Sequence, residues 1–356
     1  MKAGIEIKVV TRREQMTVGR EEWNHLLSGS ETNTVFQTYE WILSWWTVFG
    51  HMHTLFLVEV RDGDKLLALA PMMLGKVGMQ RVLRFIGDGN SDYCDFVAGE
   101  RKSDALDAIL DTAAAFRGWD VFQLKNLPGS SSTVASVLDF CNRAGKRFLE
   151  RDEIVCPTLL LKGHEEYARR VASGKTVRRR HNFLRKSKKF KIYHLKEVDE
   201  ALRCFDHFAA QHVRRWSDTP SKSLFLEVGN REFYRELIRA LLPQGLLLFT
   251  VLEYEGIPIA YHFGFEYGSK LLWYKPSFDP DYARLSPGTV LLKHLIEYGL
   301  ERGHLELDFT IGDEPFKRRY ANHLKRNVHY MVYNSLPGYF MGKALQKTMD
   351  FRKSLG

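Results

Sequence analysis

The chain carries one pattern twice, and that duplication restricts its fold more than any other feature. "TLFLVEVRDGDKLLALAPMM" is an apolar run, an Asp62-Gly63 turn and a second apolar run, the signature of a β-hairpin. "LLLFTVLEYEGIPIAYHFGF" repeats it around Glu255-Gly256. After each hairpin come another strand pattern, a loop, a helical pattern and a last strand, in "LDAILDTAAAFRGWDVFQLKNL" and "VLLKHLIEYGLERGHLELDFTI". The glycines that stop the two helical patterns, Gly118 and Gly303, are 185 residues apart, and the hairpin glycines Gly63 and Gly256 are 193 apart. A helix between two strands at such short spacing predicts a crossover joining parallel strands. Hairpins fused to that crossover give mixed sheets. The expectation is an α/β chain, α+β in its mixed sheets, with two similar domains at 1–151 and 152–356. "GKRFLERDEIVCPTLLL" reads as the passage between them.

A length of 356 residues suits two domains. The first fifteen residues show no apolar signal-like core, and no apolar run approaches a membrane span. Four scattered cysteines, Cys94, Cys141, Cys156 and Cys204, form no CxxC, which points away from a disulfide frame or metal knuckle and toward a reducing cytoplasm. Trp23, Trp41, Trp45 and Trp46 in the early apolar stretch read as core. The net charge of +9 is local: residues 169–191, "RRVASGKTVRRRHNFLRKSKKFK", hold eleven Lys or Arg and no acid. This basic run, expected as a helix, suits a solvated face, an approach for a polyanion, or an anionic membrane surface.

The stretch "RLSPGT" opens the second helical pattern. Ser286 is a preferred N-cap and Pro287 wastes no amide at N1. Amides of Gly288, Thr289 and Val290 are then expected to face an anion, with the helix dipole behind them. The same tetrapeptide is equally a sound helix opening that binds nothing. Beyond it, "DFTIGDEPFKRRYANH" sets Asp308 at a strand end and Glu314 and Lys317 on the following loop. Asp308 or Glu314 is a candidate base for an acceptor's proton, and Lys317 a candidate to hold phosphate or carboxylate. The alternative is a Glu314–Lys317 surface pair. His262 in "AYHFGF" is a candidate base if its face meets a cleft, and otherwise a structural histidine.

"GIPIAYHFGF", "DPDYARLSPGTVLL", "LDFTIGDEPFKRRYA" and the early "VFQTYEWILSWWTVFG" together resemble the CelD-like acyltransferases of the GNAT superfamily, associated with cellulose and exopolysaccharide synthesis. The duplication resembles the tandem GNAT arrangement of FemAB-like proteins. The resemblance implies two tandem GNAT-like domains, with acetyl-CoA or another acyl-CoA as donor at Arg284, Ser286, Gly288, Thr289, Val290 and Lys317. It implies a sugar, exopolysaccharide precursor or other amine or hydroxyl as acceptor, and Tyr274 and Tyr282 as acids for the leaving thiolate. No metal is expected. The pyrophosphate loop departs from the GNAT pattern, because counting from Arg284 puts Pro287 and Thr289 where glycines are usual. FemAB-like relatives imply an aminoacyl-tRNA donor as the alternative, and tRNA is then the one nucleic acid partner. A non-catalytic module of a membrane-associated exopolysaccharide synthase is the third reading. "VAGERKSDALDAIL", the matching place in the first half, has no comparable loop, so the active site is expected in the second domain.

Overall fold

The computed structural model describes residues 4–354. It divides into two compact units, residues 1–154 with 326–356, and residues 155–325. The strands are β1 Glu6–Val10, β2 Thr54–Asp62, β3 Lys65–Val77, β4 Gln80–Phe85, β5 Val97–Ala98, β6 Val121–Pro128, β7 Arg147–Leu160, β8 Lys191–His194, β9 Leu247–Tyr254, β10 Ile257–Tyr267, β11 Lys270–Phe278, β12 Glu306–Asp308 and β13 His323–Tyr333. The helices are α1 Arg20–Ser28, α2 Tyr39–Phe49, α3 Lys102–Ala115, α4 Thr133–Arg143, α5 Glu165–Ala172, α6 Lys175–Leu184, α7 Val198–Trp216, α8 Val228–Leu241, α9 Pro287–Glu301, α10 Pro315–Tyr320 and α11 Leu336–Ser354.

In the first unit the strand order is β1-β2-β3-β4-β6-β13 and then the start of β7, with β5 on β3. In the second it is the end of β7, then β12-β11-β10-β9-β8. Both predicted hairpins form: β2 pairs antiparallel with β3, and β9 with β10. Both crossovers join parallel strands, β4 with β6 and β11 with β12. Each parallel pair holds only three residue pairs, Val82–Arg84 on Val121–Gln123 and Lys270–Leu272 on Glu306–Asp308. The fold is therefore the mixed α/β arrangement that the duplication predicts.

Two expectations need correction. The segment from 326 onward groups with the first unit, not with 152–356, because β13 pairs antiparallel with β6; such a long-range pairing leaves no local mark on the sequence. The basic run is not one helix either. It covers the end of α5, all of α6 and the first residue of β8, broken at Ser173-Gly174, where Gly174 is extended (φ −51°, ψ 143°).

Alternation along the strands of the second unit sorts its side chains to two faces. Tyr261 and Phe263 of β10 join Phe205 and Phe208 of α7, Phe225 and Tyr234 in an aromatic cluster of edge and stacked pairs. Trp273 and Leu271 of β11 turn the other way, into the core made with Leu292, Leu295 and Ile296 of α9 and Ala168 and Ala172 of α5. The close seat of α9 depends on Gly299, where an added Cβ would lie 2.8 Å from Leu161 Cδ1 and 2.9 Å from Leu271 Cδ1. In the first unit α3 and α4 cover β2, β3 and β6 through Ile109, Ala113, Val137 and Phe140, all fully buried. No helix among the described residues is long and apolar enough to cross a membrane.

Candidate functional site

Past Leu272 and Asp308 the parallel pair in the second unit ends, while β11 runs on to Phe278. A cavity of about 330 Å³ opens beside this extension. Its walls are Trp273, Pro276, Ser277 and Phe278 of β11, the start of α9 from Ser286 to Thr289 with Leu292, Ala283 from the turn before it, Phe316, Arg319 and Tyr320 of α10, and Arg215 at the end of α7. A strand pair that opens at its carboxyl end next to a helix start is where α/β sheets place ligands.

The helix start differs in detail from the expected N-cap. Ser286 is the N-cap residue, but it sits in the left-handed region (φ 54°, ψ 49°) and its side chain accepts no cap hydrogen bond. Its carbonyl oxygen instead accepts from Thr289 N (3.1 Å) and Val290 N (3.2 Å). Of the three amides expected to meet an anion, those of Thr289 and Val290 are thus already bonded. Gly288 N–H is the one left toward the cavity, since Pro287 has none. Val290 itself is fully buried against Leu184 and Leu291 and does not line the cavity. Gly288 needs no glycine for its backbone, because an added Cβ would meet only Phe278 Cδ1 at 3.5 Å; what it supplies is space.

Arg215 is the residue that sequence reasoning missed. Its guanidinium lies 4.6 Å from the Phe278 ring centre and 5.0 Å from that of Trp216. Among the described residues it forms no ion pair, its Nε is buried without a partner, and burial pulls its pKa down. A desolvated cation without a counter-charge is costly, and an anionic ligand is what removes that penalty. Its neighbour Arg214 is spent on structure, pairing with Asp279 (3.0 Å) and Asp281 (2.6 Å) and so pinning the turn that leads into Ser286. Arg319 is exposed on the cavity rim and is likewise in no ion pair among the described residues. Two further polar atoms of lining residues, Trp273 Nε1 and Ser277 Oγ, are buried with no hydrogen-bond partner among the described residues. Buried polar groups are nearly always satisfied, so these orphaned donors also point to a ligand or ordered water.

The expected catalytic residues do not gather here. His262 is buried behind the wall, its ring stacked on Trp273 at 4.7 Å. Nε2 donates to the Leu272 carbonyl oxygen (3.2 Å) and Nδ1 has no partner among the described residues. Burial drives its pKa down to about 3, so it is neutral and out of reach of an acceptor. Asp308 is a structural carboxylate: it accepts Thr310 N (2.7 Å) and, with Glu306, holds Lys325 (3.1 and 2.5 Å). Burial pulls the Lys325 pKa down, but Asp308 and Glu306 outweigh it and the net shift is upward. Glu314 is the N-cap of α10 and pairs with Lys317 (2.9 Å), whose Nζ also donates to the Ile311 carbonyl (2.7 Å). That pair closes the turn at Gly312 instead of facing the cavity. Tyr274 faces away, its hydroxyl accepting from Tyr234 (3.0 Å). Tyr282 packs on the Leu184–Val290 core and Arg284 is exposed on the preceding turn, neither in the cavity wall. Ser286, Gly288 and Thr289 are the predicted residues that do line it. No group of three or more His, Cys, Asp or Glu among the described residues is arranged to hold a metal.

The fold is the mixed α/β arrangement of tandem GNAT-like proteins, and the cavity lies at the splay between two parallel strands. Residues 169–318 match the protein family described as "Acetyltransferase (GNAT) domain", and the cavity lies inside the second unit, which holds all of this match. Among solved structures the chain is similar to FemX (TM-score 0.64, 12% identity, 89% of this chain and 96% of that one). It is also similar to L-PGS from Bacillus licheniformis (TM-score 0.56, 15% identity, 94% and 97%) and to a tandem GNAT protein from the clavulanic acid biosynthesis pathway (TM-score 0.50, 12% identity, 92% and 99%). At these identities the likeness is one of fold. No curated protein matches the sequence.

Proposed function

We propose that this protein is an acyltransferase that takes an acyl group, most simply acetyl, from an acyl-CoA bound in the second unit. The acceptor is an amine or hydroxyl on a sugar, an exopolysaccharide precursor or a similar molecule. The observation that carries the reading is the cavity at the α9 start, lined by Gly288 and by Arg215 and Arg319, which form no ion pair among the described residues, with the orphaned polar atoms of Trp273 and Ser277 in its wall residues. Arg215 and Arg319 hold the donor's phosphates with the positive end of the α9 dipole, and Trp273, Phe278 and Leu292 cover its apolar arm.

The cavity wall contains hydrogen-bond donors but no carboxylate and no imidazole. Catalysis then rests on positioning and on charge stabilisation. The acceptor's nitrogen or oxygen attacks the thioester carbonyl carbon. A C–N or C–O bond forms and the C–S bond breaks. The proton lost by the acceptor goes to the departing thiolate, directly or through water. Trp273 Nε1–H and Ser277 O–H are the donors for the oxygen that becomes negative. The test is a thermal-shift titration with acetyl-CoA beside a thiol-release assay. Wild type is stabilised and releases thiol with a suitable acceptor, while Gly288→Glu, which fills the cavity with a carboxylate, does neither. No stabilisation of wild type at millimolar acetyl-CoA overturns the acyl-CoA reading.

A second reading keeps the site and changes the donor to an aminoacyl-tRNA. One observation favours it. None of the eleven cations of residues 169–191 forms an ion pair among the described residues, and α6 packs beside the first turn of α9 through Leu184, Val290 and Leu291. Binding of aminoacylated tRNA that falls steeply with salt, with no response to acetyl-CoA, selects this donor.

A further inference from the structure

The last helix, α11, has an inner and an outer face that sequence reading did not separate. The inner face is set by Gly342, where a Cβ would sit 2.0 Å from Tyr333 Oη, and by Tyr339, whose ring lies 5.9 Å from that of Tyr333. Gln346 Nε2 donates to the Glu150 carbonyl (3.3 Å) on the same side. The outer face presents Leu336 (57% exposed), Phe340 (62%), Met341 (48%) and Leu345 (55%). With 3.6 residues per turn they spread into one broad apolar stripe, about half of the helix circumference wide, on the side opposite Tyr339, Gly342 and Gln346. Lys343 and Lys347, both exposed, lie on the border of that stripe, and there is no acidic residue between Leu336 and Thr348.

We infer that α11 docks this protein flat on an anionic lipid surface, with Phe340, Met341 and Leu345 entering the acyl boundary and Lys343 and Lys347 meeting lipid phosphates. Large apolar side chains exposed together in one stripe mark a binding surface. A helix with an apolar face bordered by cations is the form that lies in a membrane interface. The charge decides between occupants. A second copy of α11 would set four basic residues, Lys343, Lys347, Arg352 and Lys353, against four more with Asp350 as the one acid in each helix, whereas an anionic bilayer supplies the complement. The basic α6 differs, because Phe183 is its one large apolar residue strongly exposed and it has no stripe to insert. The inference does not depend on the acyl donor.

Flotation of the full chain with vesicles of phosphatidylcholine and phosphatidylglycerol (about 3:1), against pure phosphatidylcholine, tests it. Wild type floats with the anionic vesicles and stays in solution with the neutral ones. Phe340→Ser with Leu345→Ser lowers the partition coefficient at least tenfold. Lys343→Gln with Lys347→Gln lowers it about thirtyfold at low ionic strength, from roughly 1 kcal/mol per lysine, and removes most of its salt dependence. Both pairs of changes are at exposed positions, and an unchanged melting temperature shows that the fold persists. Three results overturn the inference: no flotation of wild type, flotation unaffected by the Phe340 and Leu345 changes, or a concentration-dependent dimer in sedimentation velocity that those changes abolish.

Discussion

The two units hold the same structural opportunity and use it in opposite ways. Each has a three-residue parallel pair that stops short, and each joins the two strands through a helix whose N-cap is a non-glycine residue in the left-handed region, Arg101 (φ 50°) and Ser286 (φ 54°). The two caps are 185 residues apart, the same offset as Gly118 and Gly303 and as the last paired residues Gln123 and Asp308. In the second unit the opening beyond the pair is a cavity. In the first, the chain's own segment "GDGNSDYCDF" runs there. Asn126, three residues past the pair, donates from Nδ2 to the Ser91 carbonyl (2.8 Å) and accepts Cys94 N on its own carbonyl (2.9 Å). Trp41 Nε1 donates to Ser91 Oγ (2.8 Å), and Asp95 accepts from Ser131 (2.6 Å) and Thr32 (2.7 Å). One copy of the fold has the space past its parallel pair filled by polypeptide; the other keeps it open as a cavity.

The largest expected effect falls on the open copy. Arg215→Ala removes a cation that has no protein counter-charge, so we expect donor KM to rise ten- to a hundredfold, from about 1.5–3 kcal/mol for a hydrogen bond to a charged group. Chemical denaturation should show stability unchanged or higher, since the uncompensated charge is gone. A fall in stability with unchanged KM would place Arg215 in the core instead of the site. The plugged copy should respond in the opposite sense. Asn126→Ala strands the Ser91 carbonyl and leaves a left-handed alanine (φ 57° at this position), for a loss of about 2–4 kcal/mol. Urea unfolding should report it, with donor KM unaltered.

A third contrast concerns His262. By the hairpin offset of 193 its counterpart is Leu69, also fully buried, so the fold accepts an apolar residue there. The folded His262 pKa, about 3, lies below the usual value of 6.5. The unfolded chain therefore binds a proton that the native state refuses, and stability falls as pH drops from about 6.5 toward 3. His194, at about 4, and His212, at about 3, act in the same direction. We expect His262→Leu to reduce the stability lost between pH 7 and 5 by about 2 kcal/mol, the equivalent of 1.5 pH units, as read from urea midpoints. The neutral limb of any pH–rate profile should survive the change, because His262 does not touch the cavity.

What could be read from sequence, and what could not, follows the same division. Hairpins and crossover helices are local patterns and form where periodicity put them, with Gly303 (φ 71°) just past α9, whereas α3 ends at Ala115, ahead of Gly118. The SPGT start of α9 opens a helix where the sequence placed it, because its proline and dipole are local too, but the bonding of two of its amides to the Ser286 carbonyl was not legible. Nor was Arg215, since "HVRRW" offers two adjacent arginines and only the tertiary placement of Asp279 and Asp281 commits Arg214 to one side. Trp273 and Ser277 are ordinary strand residues until the neighbouring strand ends. The plug was hidden for a related reason. A Gly-, Asp- and Ser-rich run reads as an exposed loop, and its burial depends on Asn126 taking a left-handed turn thirty-one residues after Asp95.

The smallest predicted effect compares the two caps directly. Neither Arg101 nor Ser286 makes a side-chain cap hydrogen bond, and both occupy a conformation that disfavours a Cβ by roughly 1 kcal/mol. Glycine carries no such penalty. Arg101→Gly gives up exposed ion pairs to Asp62 and Asp104 (2.6 and 3.3 Å) that contribute little in solvent, so its net change in unfolding free energy should be near zero. Ser286→Gly gives up no protein contact of its hydroxyl and should stabilise the chain by about 0.5–1 kcal/mol. Because Ser286 also lines the cavity, the same change should raise donor KM a few-fold, whereas Arg101→Gly leaves KM alone. If the two substitutions instead shift stability alike and neither moves KM, the α9 start is an ordinary helix opening, and the difference between the open and the plugged copy carries no donor site.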